Sequence, residues 1–203
     1  MELTTEQIQQ IDNYLNNKGL NYIDIRTEVF DHIASDIEAQ IDKGVSFEKA
    51  LNLNTKKWDN DLKSTSSWIV GWEYSRPKIV INKAKKEVLY LSLFILFSAI
   101  LFGFTIDIET SFMGNFYRSI LLYFTIFITI ANFIFYLIMR KNKVKTTYLF
   151  LFEKRVFFNI PFLILMATVI KKDSVFLFYS ILAIGISLFG INLFRKHQKI
   201  LKL

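Results

Sequence analysis

Nineteen consecutive residues, 88–106 (VLYLSLFILFSAILFGFTI), carry no Asp, Glu, Lys, Arg or His. As a helix rising 1.5 Å per residue they extend about 28 Å, close to the roughly 30 Å hydrocarbon core of a bilayer. A run of this length and composition predicts a membrane span, and it divides the chain. The residues before it are polar and patterned for water, whereas most of those after it are apolar.

Two further stretches, 119–139 and 175–194, are also long enough to cross and free of charge. A shorter one, 156–170, begins directly after Glu153-Lys154-Arg155 and ends at Lys171-Lys172. Snorkelling of those flanking charges lets a short helix cross a slightly thinned bilayer, and the alternative is an interfacial or re-entrant segment. Basic residues decide between the topologies. Four spans with a cytoplasmic N-terminus leave 15 Lys and Arg on the inner flanks and 3 outside, against 13 and 5 for three spans. The positive-inside rule therefore predicts four spans with both termini cytoplasmic, in the cytoplasmic (inner) membrane.

The formal net charge of +7 conceals a strong asymmetry. Residues 1–75 hold 7 Lys and Arg against 13 Asp and Glu, while residues 76–203 hold 18 against 5. Basic residues spread among juxtamembrane loops are topology determinants, so direct nucleic-acid binding is not expected. The chain has no cysteine, which removes disulfides and thiolate metal sites. Its first residues, MELTTEQIQQIDNY, lack the basic start and apolar core of a signal peptide, so the acidic head is expected to stay in the cytoplasm.

The head reads as three amphipathic helices. Thr4 with Gln7 forms a capping-box pattern, Gly19 closes the first helix, and Ile8, Ile11 and Leu15 form its stripe. The second helix covers about residues 22–43, with Tyr22, Ile25, Val29, Ile33, Ile37 and Ile41 on one face and Gly44 at its end. Ser46 opens the third, whose apolar face carries Phe47, Ala50, Leu51, Trp58 and Leu62. The expected fold class is all-α: a small cytoplasmic three-helix domain (residues 1–66), an aromatic and basic neck (67–87), and a four-helix transmembrane bundle (88–203).

The run Arg26-Thr27-Glu28-Val29-Phe30-Asp31-His32-Ile33-Ala34-Ser35-Asp36-Ile37-Glu38, followed by Gly44-Val45-Ser46-Phe47-Glu48-Lys49-Ala50, resembles the helix-turn-helix-associated α-helical signalling (HAAS) domain. It is also similar to the prefix domains that precede some bacterial permeases. The resemblance covers roughly residues 4–62 and rests on a helix and a turn, with no reactive motif. Where family members often have Leu-Leu before the Asp-His pair, this chain has Val29-Phe30, and in place of their LGDP-type turn it has residues 52–57, NLNTKK. The resemblance implies membrane-linked regulation, with a PadR-like transcription regulator as partner, or a place beside transporter subunits.

Glu28, Asp31, His32 and Asp36 lie near one another on the second helix and form the candidate partner-binding face. One histidine among flexible carboxylates is a poor metal site. Trp68, Trp72, Lys83, Lys85 and Lys86 suit the headgroup region as membrane-interface anchors, half-wet rings beside ammonium groups that meet anionic lipid. Within the spans, Asn132 and Asn159 are the candidate interhelical polar residues, bonding inside the bundle or across a homo-oligomer. Intramembrane proton transfer and catalysis place acidic, basic or imidazole groups at depth, and the predicted spans have no Asp, Glu, Lys, Arg or His. No phosphate loop, nucleophile elbow or HExxH is present. The chain is therefore expected to be a non-enzymatic protein without cofactor or catalytic residues. Its expected role is a signalling or regulatory module whose head binds a cytosolic partner, with an accessory subunit of a transporter or permease as the alternative.

Overall fold

The computed structural model describes residues 2–67, 71–105, 115–157 and 173–202. It is mostly helical, as the apolar periodicity predicts, and it adds one small antiparallel hairpin. The chain forms two compact units. One comprises Met1–Lys85 together with Val144–Thr147, and the other Lys86–Lys143 with Tyr148–Leu203.

In the first unit, α1 (Thr5–Asn17) opens with both halves of the capping box. The Gln7 amide donates to Thr4 Oγ1 at 3.4 Å, and the Thr4 amide donates to Gln7 Oε1 at 2.9 Å. Gly19, at φ +70°, takes the left-handed turn that a side chain would resist, and α2 (Ile23–Ile41) begins four residues later. Gly44 at φ +83° makes the same kind of turn before α3 (Phe47–Leu62). Ile11, Leu15, Ile25, Val29, Ile33, Ile37, Phe47, Ala50 and Leu62 are buried where the three helices pack on one another. Ile8, expected in the α1 stripe, is 43% exposed, because the inward face of α1 begins one turn later at Ile11. Arg26 braces the α1–α2 turn through the Leu20 carbonyl at 2.8 Å and the Asp12 carboxylate at 2.5 Å.

A hairpin straddles the expected boundary between the head (1–66) and the aromatic neck (67–87). Strand β1 (Ser64–Ser67) pairs antiparallel with β2 (Gly71–Pro77), Ser64 opposite Pro77 and Thr65 opposite Arg76. Helix α4 (Lys78–Thr105) follows directly, its Lys78 amide donating to the Lys63 carbonyl at 2.9 Å. Pro77 thus closes the strand. Val80, Ile81 and Ala84 are buried on the opening turns of α4.

The second unit contains the remainder of α4, then α5 (Asn115–Lys141), α6 (Thr147–Phe152) from Tyr148 onward, a π-helical turn (Glu153–Phe157) and α7 (Asp173–Ile200). Helix α5 packs on α7, where the rings of Phe135 and Phe194 stack with centroids 4.5 Å apart. Among the described residues two helical stretches are long and apolar enough to cross a membrane, Ser119–Lys141 and Val175–Ile200. They contain the predicted spans 119–139 and 175–194. The predicted span 88–106 lies on α4 as far as Thr105, and most of 156–170 falls outside the described residues. Large apolar side chains stand exposed on all three long helices, among them Phe97 on α4, Phe127 on α5 and Leu188 on α7. The glycines of α7 mark two separate close approaches. A Cβ on Gly185 would collide with the ring of Phe94, and one on Gly190 would lie 2.6 Å from Asn132 Oδ1 and 2.9 Å from Val156 Cγ1.

Candidate functional site

The α2 face singled out in the sequence divides in two. Glu28, Asp31 and His32 are exposed, while Asp36 is half-buried and held by Lys57 of α3, Nζ to Oδ2 2.6 Å. The His32 ring lies over Trp58 of α3, with centroids 6.4 Å apart and planes 26° from parallel. Helix α3 therefore fixes the His32 and Asp36 side of the face, and Glu28 and Asp31 project from a braced helix. Among the described residues no three His, Asp or Glu side chains converge as a metal site would require.

A second constellation, absent from the sequence reading, surrounds the first turn of α2. Its N-cap residue, Tyr22, makes no side-chain cap to the helix amides. The Ile23 amide donates instead to the Lys145 carbonyl at 2.9 Å. In return the amide of Thr147, first residue of α6, donates to Asp24 Oδ1 at 2.8 Å. Two helix ends thus cap one another reciprocally, with the chemistry of a capping box distributed between distant parts of the chain. A carboxylate in the first turn of α2 is also favoured by that helix's dipole.

The Asp24 carboxylate is fully buried, which requires compensation. Lys83 of α4 supplies it. Its ammonium stands 3.1 Å from Oδ2 and donates to the Asp24 main-chain carbonyl at 3.2 Å, so Oδ2 is balanced by nearby charge while Oδ1 holds the directed bond. Thr146 and Thr147 are buried beside it. Arg76 of β2 completes the surroundings by donating from Nε to the Tyr22 hydroxyl at 2.7 Å. The hairpin, the opening of α4 and residues 144–147 are all held at the N-terminus of α2.

In the second unit, Lys196 near the end of α7 reaches both carboxylate oxygens of Glu87 on α4, at 2.7 and 2.6 Å. The same ammonium lies 5.7 Å from the centre of the Tyr148 ring on α6. Asn132 of α5 donates from Nδ2 to Ser187 Oγ on α7 at 3.1 Å and to its own Ile128 carbonyl at 2.7 Å. Its buried Oδ1 faces Gly190 without a hydrogen-bond donor among the described residues.

Of the proposed interface anchors, Lys83 is turned onto Asp24, while Lys85 and Lys86 are exposed on α4. Trp72 lies on β2, and Trp68 and Asn159 fall outside the described residues. The sequence carried faint signs of the Asp24 site: an acid in a first helical turn, and Thr146-Thr147 immediately before the apolar run YLFLF. No family model matches the chain, and no curated protein or solved structure is significantly similar to it.

Proposed function

We propose that this chain is a non-enzymatic, multi-pass protein of the cytoplasmic membrane, with four spans and both termini in the cytoplasm. Its N-terminal helical unit serves as a signalling or regulatory head that binds a cytosolic protein. The observation that carries this reading is the α2 face, where Glu28 and Asp31 are exposed beside His32 and Asp36, which α3 braces through Trp58 and Lys57. A rigid acidic face suits a basic partner surface, steering encounter by charge and fixing register on contact. Two apolar helices with outward-facing Phe and Leu side chains support the membrane part of the reading. The HAAS resemblance makes a PadR-like transcription regulator the first partner to test.

The test is gentle purification of the full-length protein from its membrane, with mass spectrometry of what accompanies it, in the native form and as Glu28→Lys/Asp31→Lys. A DNA-binding regulator that accompanies the native form and is lost with the charge reversal is the expected result. Permease or ATPase subunits retained by both forms would make the chain an accessory transporter subunit instead.

A further inference from the structure

We propose that the outward face of α7 binds an anionic phospholipid, with an acyl chain along the apolar part of the face and the phosphate at Arg195 and Lys199. The exposed side chains of α7 recur every three or four residues, so they stand in one line along the helix. Leu177, Ile181 and Leu188 come first, with the half-exposed Ile184 between them. Asn192 follows, and the exposed Arg195, Lys199 and Lys202 complete the line. On the opposite side of the helix Ala183, Ile186, Leu193 and His197 are buried. The outward line thus changes character once, from apolar to cationic, at Asn192. Between Ile181 and Asn192 the helix rises about 16 Å, half of the roughly 30 Å hydrocarbon core of a bilayer. An acyl chain laid along that length brings its headgroup to Arg195.

The cations of this line are not committed within the fold. Lys196, on another side of the helix, is held by Glu87, whereas among the described residues no carboxylate meets Arg195, Lys199 or Lys202. The dipole of α7 does not explain all three. Its field fades beyond the last turn, the helix ends at Ile200, and Arg195 stands more than a turn inside that end. Arg195 and Lys199 are four residues apart, which sets their Cβ atoms about 6 Å from one another on one face, a spacing that a phosphodiester can bridge. Helix α5 packs on α7 in parallel, with Asn132 beside Ser187 and Phe135 beside Phe194, so both helices bring their basic residues to the same end of the pair. The arrangement on α5 is different. Arg140 donates to the Tyr136 hydroxyl at 2.8 Å, Lys141 is the last residue of the helix, and Lys143 lies beyond it at φ +54°. No two cations stand one turn apart on α5, which makes its end a matched control. The proposal rests on the reading of α7 as a membrane span and adds the lipid that this span selects.

Native mass spectrometry of the detergent-solubilised full-length protein tests it, by titration with phosphatidylglycerol and with phosphatidylcholine of the same acyl chains. The native form is expected to bind phosphatidylglycerol about tenfold more tightly. Arg195→Gln/Lys199→Gln is expected to abolish that preference and to leave phosphatidylcholine binding unchanged. Lys141→Gln/Lys143→Asn takes the same charge from the α5 end, with asparagine accepted at the left-handed position, and should keep the preference. Millimolar inorganic phosphate should leave the bound lipid in place, because the apolar line holds its acyl chain. Equal loss of preference in both double variants overturns the proposal, since net charge alone would then attract the lipid. Displacement by inorganic phosphate also overturns it, making the site one for free phosphate. Equal binding of the two lipids by the native form overturns it while α7 remains a membrane helix, and a protein that stays in solution without detergent or lipid overturns both readings.

Discussion

The Thr147 amide donates to the Asp24 carboxylate at 2.8 Å, across a sequence separation of 123 residues. With the Ile23 to Lys145 bond it makes residues 144–147 part of the head, although the chain on either side belongs to the second unit. Asp24→Ala removes the acceptor of the Thr147 amide and takes the carboxylate away from the Lys83 ammonium, which keeps the main-chain carbonyl at position 24. It is expected to destabilise the first unit by about 1–3 kcal/mol. Asp24→Asn keeps an acceptor for the amide and loses only the counter-charge, so its cost is smaller. All three tryptophans, Trp58, Trp68 and Trp72, lie within the first 75 residues, so intrinsic fluorescence during denaturant unfolding reports this unit directly. Equal midpoints for native protein and Asp24→Ala would contradict the assignment.

Gly190 and Gly185 give different expectations. An added methyl at Gly190 meets Asn132 Oδ1 and the branched Val156, which have little room to yield. Gly190→Ala should cost about 1–3 kcal/mol. At Gly185 the obstacle is the Phe94 ring alone, a side chain free to change rotamer, so Gly185→Ala should cost less. Thermal stability of the two variants in detergent checks the order, and the reverse ranking would contradict the packing described.

Tyr14 and Asp59 give the head a pH signature. Burial, reinforced by the Asp59 carboxylate 3.0 Å from its hydroxyl, pushes the Tyr14 phenol above its ordinary value. The Lys18 ammonium and the Tyr14 hydroxyl hold the Asp59 carboxyl below its ordinary value. A raised phenol favours the neutral form in the fold, so its contribution is complete below about pH 10 and is lost as pH rises further. A depressed carboxyl contributes above about pH 4 and is lost as pH falls through the folded value. Urea midpoints measured across this range should fall at both ends. Tyr14→Phe should flatten the alkaline fall and Asp59→Asn the acid one; unchanged profiles would contradict the pairing.

Local signals made the first three helices legible. The capping box, the glycine turns and the three-to-four spacing of Ile25, Val29, Ile33 and Ile37 each act within a few residues, and the sequence displays them directly. The hairpin at Ser64–Ser67 and Gly71–Pro77 was not legible. Its first strand is STSS, without apolar alternation, and it forms because Lys63 and Arg76 tie it to α4 and Tyr22. The Asp24 site was hidden for the same kind of reason. Its meaning depends on partners 59 and 123 residues away, and Lys83 read alone is one more basic residue beside a span. Asn132 was visible as a buried amide, while its acceptor, Ser187, had to come from the fold.

The proposed topology puts the head and the C-terminus on the same side of a membrane. The chain contains no cysteine, so single cysteines can be placed without background. Ser35→Cys on the exposed side of α2, Glu109→Cys in the predicted outer loop and Lys202→Cys near the C-terminus would be probed in intact cells with a membrane-impermeant maleimide. The expected result is labelling at position 109 in intact cells, with 35 and 202 labelled only after permeabilisation. Labelling at position 35 in intact cells, or equal labelling at 35 and 109, would contradict it.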